Sequence, residues 1–253
     1  MIGLSRTVFE YKYRQQDDSV MVDQIKQIAY KHKRYGFKKI FHILKRQGFS
    51  WNHKRVYRVY CSLSLNLRKK PKKRLPSREK MALIQPTLPN EMWSLDYMSD
   101  ALQNGRRFRT INVIDDFNRE ALAVKAFRTL PSTRVVQVLD EIAMQRGYPQ
   151  KIRMDNGPEN IAKSLKIWAD EHHVVLQYIQ PGKPAQNGYI ERFNRSYREE
   201  VLDMNIFTSL TDVQCITDEW IIEYNTKRPH CSLQNMPPKA FSLFKKVSTL
   251  ELY

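Results

Sequence analysis

Cysteine is nearly absent: three in 253 residues, at Cys61, Cys215 and Cys231. An odd number at wide spacing excludes a disulfide framework and a paired Cys-x-x-Cys zinc signature, and it fits reduced thiols in a cytosol. Long apolar runs are also missing. None approaches the roughly 20 residues that span a bilayer, and the N-terminus, MIGLSRTVFEYKYRQQ, lacks the apolar core of a secretion signal. The expectation is a cytoplasmic protein with no membrane partner. Acidic residues are scarce only in the first third. Residues 1–80 hold 22 Lys and Arg against 5 Asp and Glu, whereas residues 81–253 hold 21 of each, so the whole net charge of +17 belongs to the N-terminal segment. A basic module joined to a neutral body points to a polyanion partner, nucleic acid first among them. The hydrophobic content of 42% is enough for a true core.

Within the basic third, Val20, Val22, Ile25, Ile28 and Ala29 recur near helical spacing. After Tyr35-Gly36-Phe37 a second helix is expected, with Ile40, Ile43 and Leu44 on one face and Gly48 as its stop. A third, NHKRVYRVYCSL, is capped by Ser50 or Asn52 and exposes His53, Lys54, Arg55 and Arg58. Two short helices and a tight turn, the second rich in cations, describe a helix-turn-helix over residues 1–66. Residues 67–88 read as a linker. Its proline and its charge, including Lys69, Lys70, Lys72 and Lys73, keep it extended, as a strap suited to phosphates.

From residue 91 the pattern alternates. EMWSLDYMSD, RFRTINVIDD and REALAVKAF read as three strands of an antiparallel meander, turning at Asn104-Gly105 and at Asp116-Phe117-Asn118-Arg119. A helix follows, capped by Ser132 and stopped by Gly147, then strand KIRMD, helix ENIAKSLKIWADEHH, strand VVLQYIQ and a helix from about Gln186. This order predicts an α/β body, a mixed sheet covered by helices, over residues 89–208. Residues 209–253 supply a further helix and a tail that packs on it.

Three acids stand out in that body. Asp96 lies in mid-strand, where a bare charge is costly unless a cation or hydrogen bonds compensate it. Asp155 ends a strand ahead of Asn-Gly-Pro, and Glu191 lies in the first turns of NGYIERFNRSYREEVLD. Two strand carboxylates and one helix carboxylate can converge on a pair of divalent cations, which phosphoryl transfer favours about 4 Å apart. Farther along that helix, Arg195 and Arg198 share a face with Glu191 and could hold a strand's phosphates.

Trp93-Ser-Leu-Asp96, Asp155-Asn-Gly-Pro-Glu159 and Asn187-Gly-Tyr-Ile-Glu191-Arg-Phe-Asn, with thirty-five residues between Asp155 and Glu191, closely resemble the DDE catalytic core of transposases and retroviral integrases. Tyr224-Asn-Thr-Lys-Arg-Pro-His230, with Leu233 and Pro237-Pro238, is similar to the end of that core in bacterial insertion sequences, and the Tyr35-Gly36-Phe37 helix pair resembles the helix-turn-helix of the insertion-sequence-three family's second reading frame. The resemblance implies a ribonuclease-H-like, mixed five-stranded sheet flanked by helices, preceded by a small all-α helix-turn-helix domain. It implies strand cleavage and strand transfer on double-stranded DNA, at element terminal repeats and at a target. Two Mg²⁺ ions, with Mn²⁺ as substitute, would be held by Asp96, Asp155 and Glu191. Further implied are a homo-oligomer on DNA, an upstream-frame product or fusion as partner, and a nucleoid location.

Rival readings are a metal-dependent nuclease on the same fold and a catalytically silent DNA-binding regulator. Asp115 and Asp116 read as turn residues, Asp100 as a solvated strand end, His230 equally as a packing or phosphate contact or as a catalytic group, and His172 and His173 as wrongly spaced for zinc. Because the net charge is confined to residues 1–80, a chain beginning at residue 81 should lose most non-specific DNA affinity. Its binding constant should fall far less steeply with salt, each lost phosphate contact removing about 0.9 from the logarithmic slope. An unchanged slope in a fluorescence-anisotropy salt titration would place the DNA-binding surface elsewhere.

Overall fold

A computed structural model describes residues 10, 17–67, 85–157, 163–180 and 184–250. These fall into two compact units, divided between residues 69 and 70.

In the first unit, α1 (Ser19–Lys31), α2 (Phe37–Arg46) and α3 (His53–Ser62) enclose a small core. Met21, Ile25 and Ile28 supply the α1 stripe, Ile40 and Leu44 that of α2, and Val56, Val59 and Tyr60 that of α3. Val20 does not belong to it: it is 59% exposed, and Met21 takes its place because the stripe runs i, i+4, i+7 from residue 21. Asn52 is the cap of α3, its Oδ1 accepting the Lys54 N–H at 2.8 Å.

In the second unit, β1 (Met92–Ala101), β2 (Arg107–Asp115), β3 (Ala121–Phe127), β4 (Lys151–Met154) and β5 (Val175–Tyr178) form one sheet in the order β3-β2-β1-β4-β5. β1–β2 and β2–β3 are antiparallel, and β1–β4 and β4–β5 are parallel. This is the mixed five-stranded sheet expected from the sequence, with β1 at its centre. The side-chain period of two then separates the faces. Trp93, Leu95, Ile111, Val113, Ile152 and Met154 point to one side, where α4 (Ser132–Arg146) and α5 (Lys163–Glu171) cover them in an apolar cluster. The opposite face meets α6 (Gly188–Glu200) and α7 (Leu210–Thr226) through Ile114, Val124, Ile190, Phe193, Tyr197 and Val213. That side also carries Ser94, Asp96, Asn112 and Arg153, so its packing is mixed.

Ser132 does not cap α4. It is the first helical residue after Pro131, and its hydroxyl pairs with that of Ser164 at 2.7 Å. Gly147 does end α4, at φ 84°, a conformation that a residue with a Cβ resists. α7 is capped by Ser209, whose hydroxyl accepts the Asp212 N–H at 3.1 Å. The last helix, α8 (Pro238–Leu250), brings Phe241 against Phe117 and Leu233.

The Tyr224–His230 motif has a structural explanation. The buried Asn225 amide grips the backbone of Ala121 at the start of β3, donating to its carbonyl and accepting its N–H, both at 2.9 Å. Arg228 spans to Glu200 at 2.8 Å and to the Ser196 hydroxyl at 2.9 Å, joining the end of α7 to α6. His230 is a packing residue, edge-on to Tyr224 with ring centroids 4.8 Å apart. Asn225→Ala should therefore leave two buried backbone groups unpaired and lower the free energy of unfolding by roughly 2–4 kcal/mol. Asn225→Asp should recover little, since a carboxylate cannot donate to the carbonyl. A loss below about 0.5 kcal/mol in urea titrations, the range of ordinary surface changes, would contradict this account.

Candidate active site

Asp96 sits midway along β1, on the face that meets α6, and its carboxyl is largely withdrawn from water. Oδ1 accepts the N–H of Tyr97 at 2.8 Å, and Oδ2 accepts the side-chain amide of Asn194, on α6, at 2.7 Å. Asp155 follows the last residue of β4, the parallel neighbour of β1. Its Oδ1 accepts the Gly157 N–H at 3.0 Å, while the Asn156 amide donates to the Ile179 carbonyl at 3.0 Å and closes the turn. Glu191 projects from the first turn of α6, exposed, where the helix dipole favours an anion.

The sheet and α6 bring these three acids into one electrostatic neighbourhood. Burial raises the pKa of Asp96 to about 6, and the negative charges of Asp155 and Glu191 push it the same way against the hydrogen bonds from Tyr97 and Asn194. Among the described residues, no three His, Cys, Asp or Glu side chains stand close enough to close around one ion. The acids as placed form an anionic cluster, all oxygen donors, rather than a finished ligand shell. Such a donor set suits a hard divalent cation.

Beneath the cluster the polar residues divide into separate roles. Asp115 is a turn residue: it accepts the backbone N–H groups of Asn90 and Phe117 and pairs with Arg146 at 2.9 Å. Asp116 is no simple turn residue. It is fully buried and paired with Arg153 of β4 at 2.9 Å, and burial still raises its pKa to about 6. Arg119 lies buried 3.4 Å over the Tyr189 ring. Asp100 is no solvated strand end, because it pairs with Arg198 of α6, whose guanidinium also donates to the Ser99 carbonyl at 2.8 Å. Arg195 is exposed on the same helix.

In the first unit, Lys54 is exposed, whereas Arg55 and Arg58 both pair with Asp18 at 2.7 Å. Lys69, Lys70, Lys72 and Lys73 lie outside the described residues, as does Glu159. Sequence reasoning missed Asn194 and Asn112. The Asn three residues after Glu191 was a visible signal, being the helix residue one turn on from an acid of interest.

Two integrase core domain models match residues 86–184 and 172–238, and an HTH-like domain model matches residues 15–74. The chain is 37% identical over 243 residues to the 31.7 kDa protein of insertion element IS407 of Burkholderia multivorans, covering 96% of this chain and 88% of that one. It is 35% identical over 243 residues to the 39.2 kDa protein of insertion element IS476 of Xanthomonas euvesicatoria, covering 96% and 70%. In fold it is similar to a chain of the simian T-cell lymphotropic virus intasome, solved with a PP2A regulatory subunit, with TM-score 0.52 and 15% identity over 87% of this chain and 74% of that one.

The raised pKa of Asp96 fixes the sign of a stability effect. The folded chain holds this proton up to about pH 6, whereas an unfolded carboxyl releases it near 3.8. Folding therefore takes up a proton in that interval, and stability falls as pH rises through it. Without divalent cations, Asp96→Asn should be more stable than the parent above pH 6, by roughly 1–3 kcal/mol. The difference should narrow as the pH falls from about 6 towards 4 and close only below about 3, where the carboxyl is protonated in both states. Urea titrations across this range in a chelator test it, and a parent as stable as the variant at pH 8 would refute it.

Proposed function

The chain belongs to the insertion-element transposases, DDE-type polynucleotidyl transferases with an integrase core, and we propose that it performs cation-dependent cleavage at the ends of its element and joins those ends to target DNA. The observation that carries this reading is the gathering of Asp96, Asp155 and Glu191, from β1, the end of β4 and α6, into one anionic cluster around a carboxyl already burdened by burial. Like charges so placed on a rigid sheet repel one another until a cation joins them. Their oxygen donors fit Mg²⁺, with Mn²⁺ as substitute, and two ions suit an in-line displacement at phosphorus.

In this reading Asp96, Asp155 and Glu191 would hold the ions. The ions, when bound, lower the pKa of the attacking water or 3′-hydroxyl and stabilise the leaving 3′-oxygen. The protein supplies orientation. β1 and β4 fix two carboxylates through a shared ladder of hydrogen bonds, α6 brings the third, and no side chain of the chain forms a covalent intermediate. Arg198, held by Asp100, keeps α6 against the end of β1, and Arg195 remains for a phosphate.

The first unit supplies DNA affinity. Lys54 is already available, and the ion pair of Arg58 with Asp18 is exposed enough, at 54% for Arg58, that exchanging it for a phosphate costs little, about 0–1 kcal/mol. Arg55, held by the same carboxylate, joins that exchange, and Lys69, Lys70, Lys72 and Lys73, outside the described residues, add further cations for phosphates. The boundaries 1–66, 67–88, 89–208 and 209–253 then separate DNA-binding helices, strap, catalytic core and supporting helices. The partners are the element's terminal repeats, target DNA, further copies of the chain assembled on DNA, and an upstream-frame product, all on the cytoplasmic nucleoid.

Asp96→Asn, Asp155→Asn and Glu191→Gln should each abolish cleavage and joining of element-end DNA in Mg²⁺ while DNA binding stays near the parent level. Gel analysis of cut and joined products separates the outcomes. Retention of more than about a twentieth of the activity by all three would defeat the assignment, since loss of a group made for the transition state costs far more. Cut DNA with no joined product would mark a nuclease instead.

A further inference from the structure

Asn194 is more than a neighbour of Asp96. It lies on α6 three residues after Glu191, 9% exposed, and its two amide atoms face opposite ways. Nδ2 donates to Asp96 Oδ2, and Oδ1 accepts Nδ2 of Asn112, each at 2.7 Å. Asn112 is fully buried on β2, directly across the antiparallel register from Asp96. Its own Oδ1 is buried with no hydrogen-bond partner. Three side chains from β1, β2 and α6 thus form one directional relay, Asn112 to Asn194 to Asp96.

The direction follows from the terminus. An amide both donates and accepts and can be inverted, whereas an ionised carboxylate only accepts. The anion at Asp96 therefore requires Asn194 to present its NH₂, Asn194 Oδ1 then requires the NH₂ of Asn112, and the surplus acceptor is left on Asn112. An arrangement selected for stability alone would not end on an orphaned buried carbonyl. The Asp96 carboxylate has one oxygen committed to Tyr97 and the other to Asn194, so its plane is fixed and its remaining lone pairs keep one orientation.

We propose that Asn194, supported by Asn112, is a positioning residue for the cation site: it sets the plane of the Asp96 carboxylate and locks α6, and with it Glu191, to β1. This rests on the reading of Asp96, Asp155 and Glu191 as the cation-binding set. Partners that orient ligating carboxylates are worth about 10–100-fold in metal affinity, although they never touch the ion. A plain helix-to-sheet contact would contribute stability and leave the affinity of the folded protein unchanged.

The probe is Mn²⁺ alone, titrated into the full chain and followed by the electron-paramagnetic-resonance signal of the free ion, beside urea titrations in a chelator. Asn194→Ala should weaken Mn²⁺ binding about 10-fold or more. Asn112→Ala should weaken it less, and the double variant should match Asn194→Ala, because Asn112 acts only through Asn194. Asp155→Asn is the reference. Should it lose Mn²⁺ while Asn194→Ala binds within about twofold of the parent, the relay is structural glue and the proposal falls. Should Asp155→Asn bind Mn²⁺ as the parent does, the cation reading falls and takes the proposal with it. Where Asn194→Ala does not fold, Asn112→Ala decides: weaker Mn²⁺ binding supports the relay, and unchanged binding overturns it.

Discussion

A carboxylate on the central strand of a covered sheet is the constraint from which the rest of this domain follows. Asp96 cannot retreat from β1, since its backbone is fixed by β2 on one side and the sheet continues into β4 on the other. A helix laid over it must offer donors or leave the charge unsolvated, and an apolar side chain at that contact would cost several kcal/mol. α6 answers with alternating character. Ile190, Phe193 and Tyr197 bury against the sheet, while Asn194 reaches Asp96 between them. Seating the charge and seating the helix are one event.

The two faces of the sheet show what this demands. Behind it, Trp93, Leu95, Ile111 and Val113 meet α4 and α5 in one apolar cluster, with polar pairs such as Asp115 and Arg146 at its margin, and this layer supplies ordinary hydrophobic stabilisation. In front, Thr110 and Asn112 each carry a buried oxygen with no hydrogen-bond partner among the described residues. Unpaired buried oxygens are individually destabilising, and these two lie on the same face of the sheet as Asp96. The apolar layer offsets what the polar one costs. Asn225 and Arg228 then hold the α7 end of the polar layer through hydrogen bonds rather than apolar contact.

Local rules made the architecture legible. Period-two alternation exposed β1 to β3, and the position of Asp96 within its alternation singled it out because the strand around it was plainly apolar on the other face. Asn52 as a cap and Gly147 as a stop are likewise local, each decided within a few residues. What escaped was set by distance along the chain. Asn112 and Asn194 are 82 residues apart, and Arg198 meets Asp100 across 98. No periodicity encodes which polar groups will face each other once a helix docks. Ser132 failed as a cap for a related reason: Pro131 already supplies the extended backbone that precedes a helix, and the hydroxyl was free to find Ser164. Asp115 and Asp116 looked alike in sequence, yet one residue of strand period sends them to opposite partners, Arg146 and Arg153.

Stability and function meet at Asp96 through one quantity, the free energy of its negative charge. A proton removes the charge, an amide replaces it, and a cation neutralises it, and each relieves the cost of burying that charge and the added repulsion from Asp155 and Glu191. Only the cation leaves the carboxylate able to act. Under the proposed function, the folded chain at neutral pH is held in a state of unrelieved charge, and whatever binds that state in preference to the unfolded one draws the fold toward itself by mass action. Under the same proposal, an amide rather than a cation beside Asp96 is what the site needs. A lysine or arginine in place of Asn194 would neutralise the carboxylate and stabilise the domain, but it would compete for the position of the proposed divalent ion. Asn194 donates one hydrogen bond, adds no net charge, and leaves the site electrostatically unfinished.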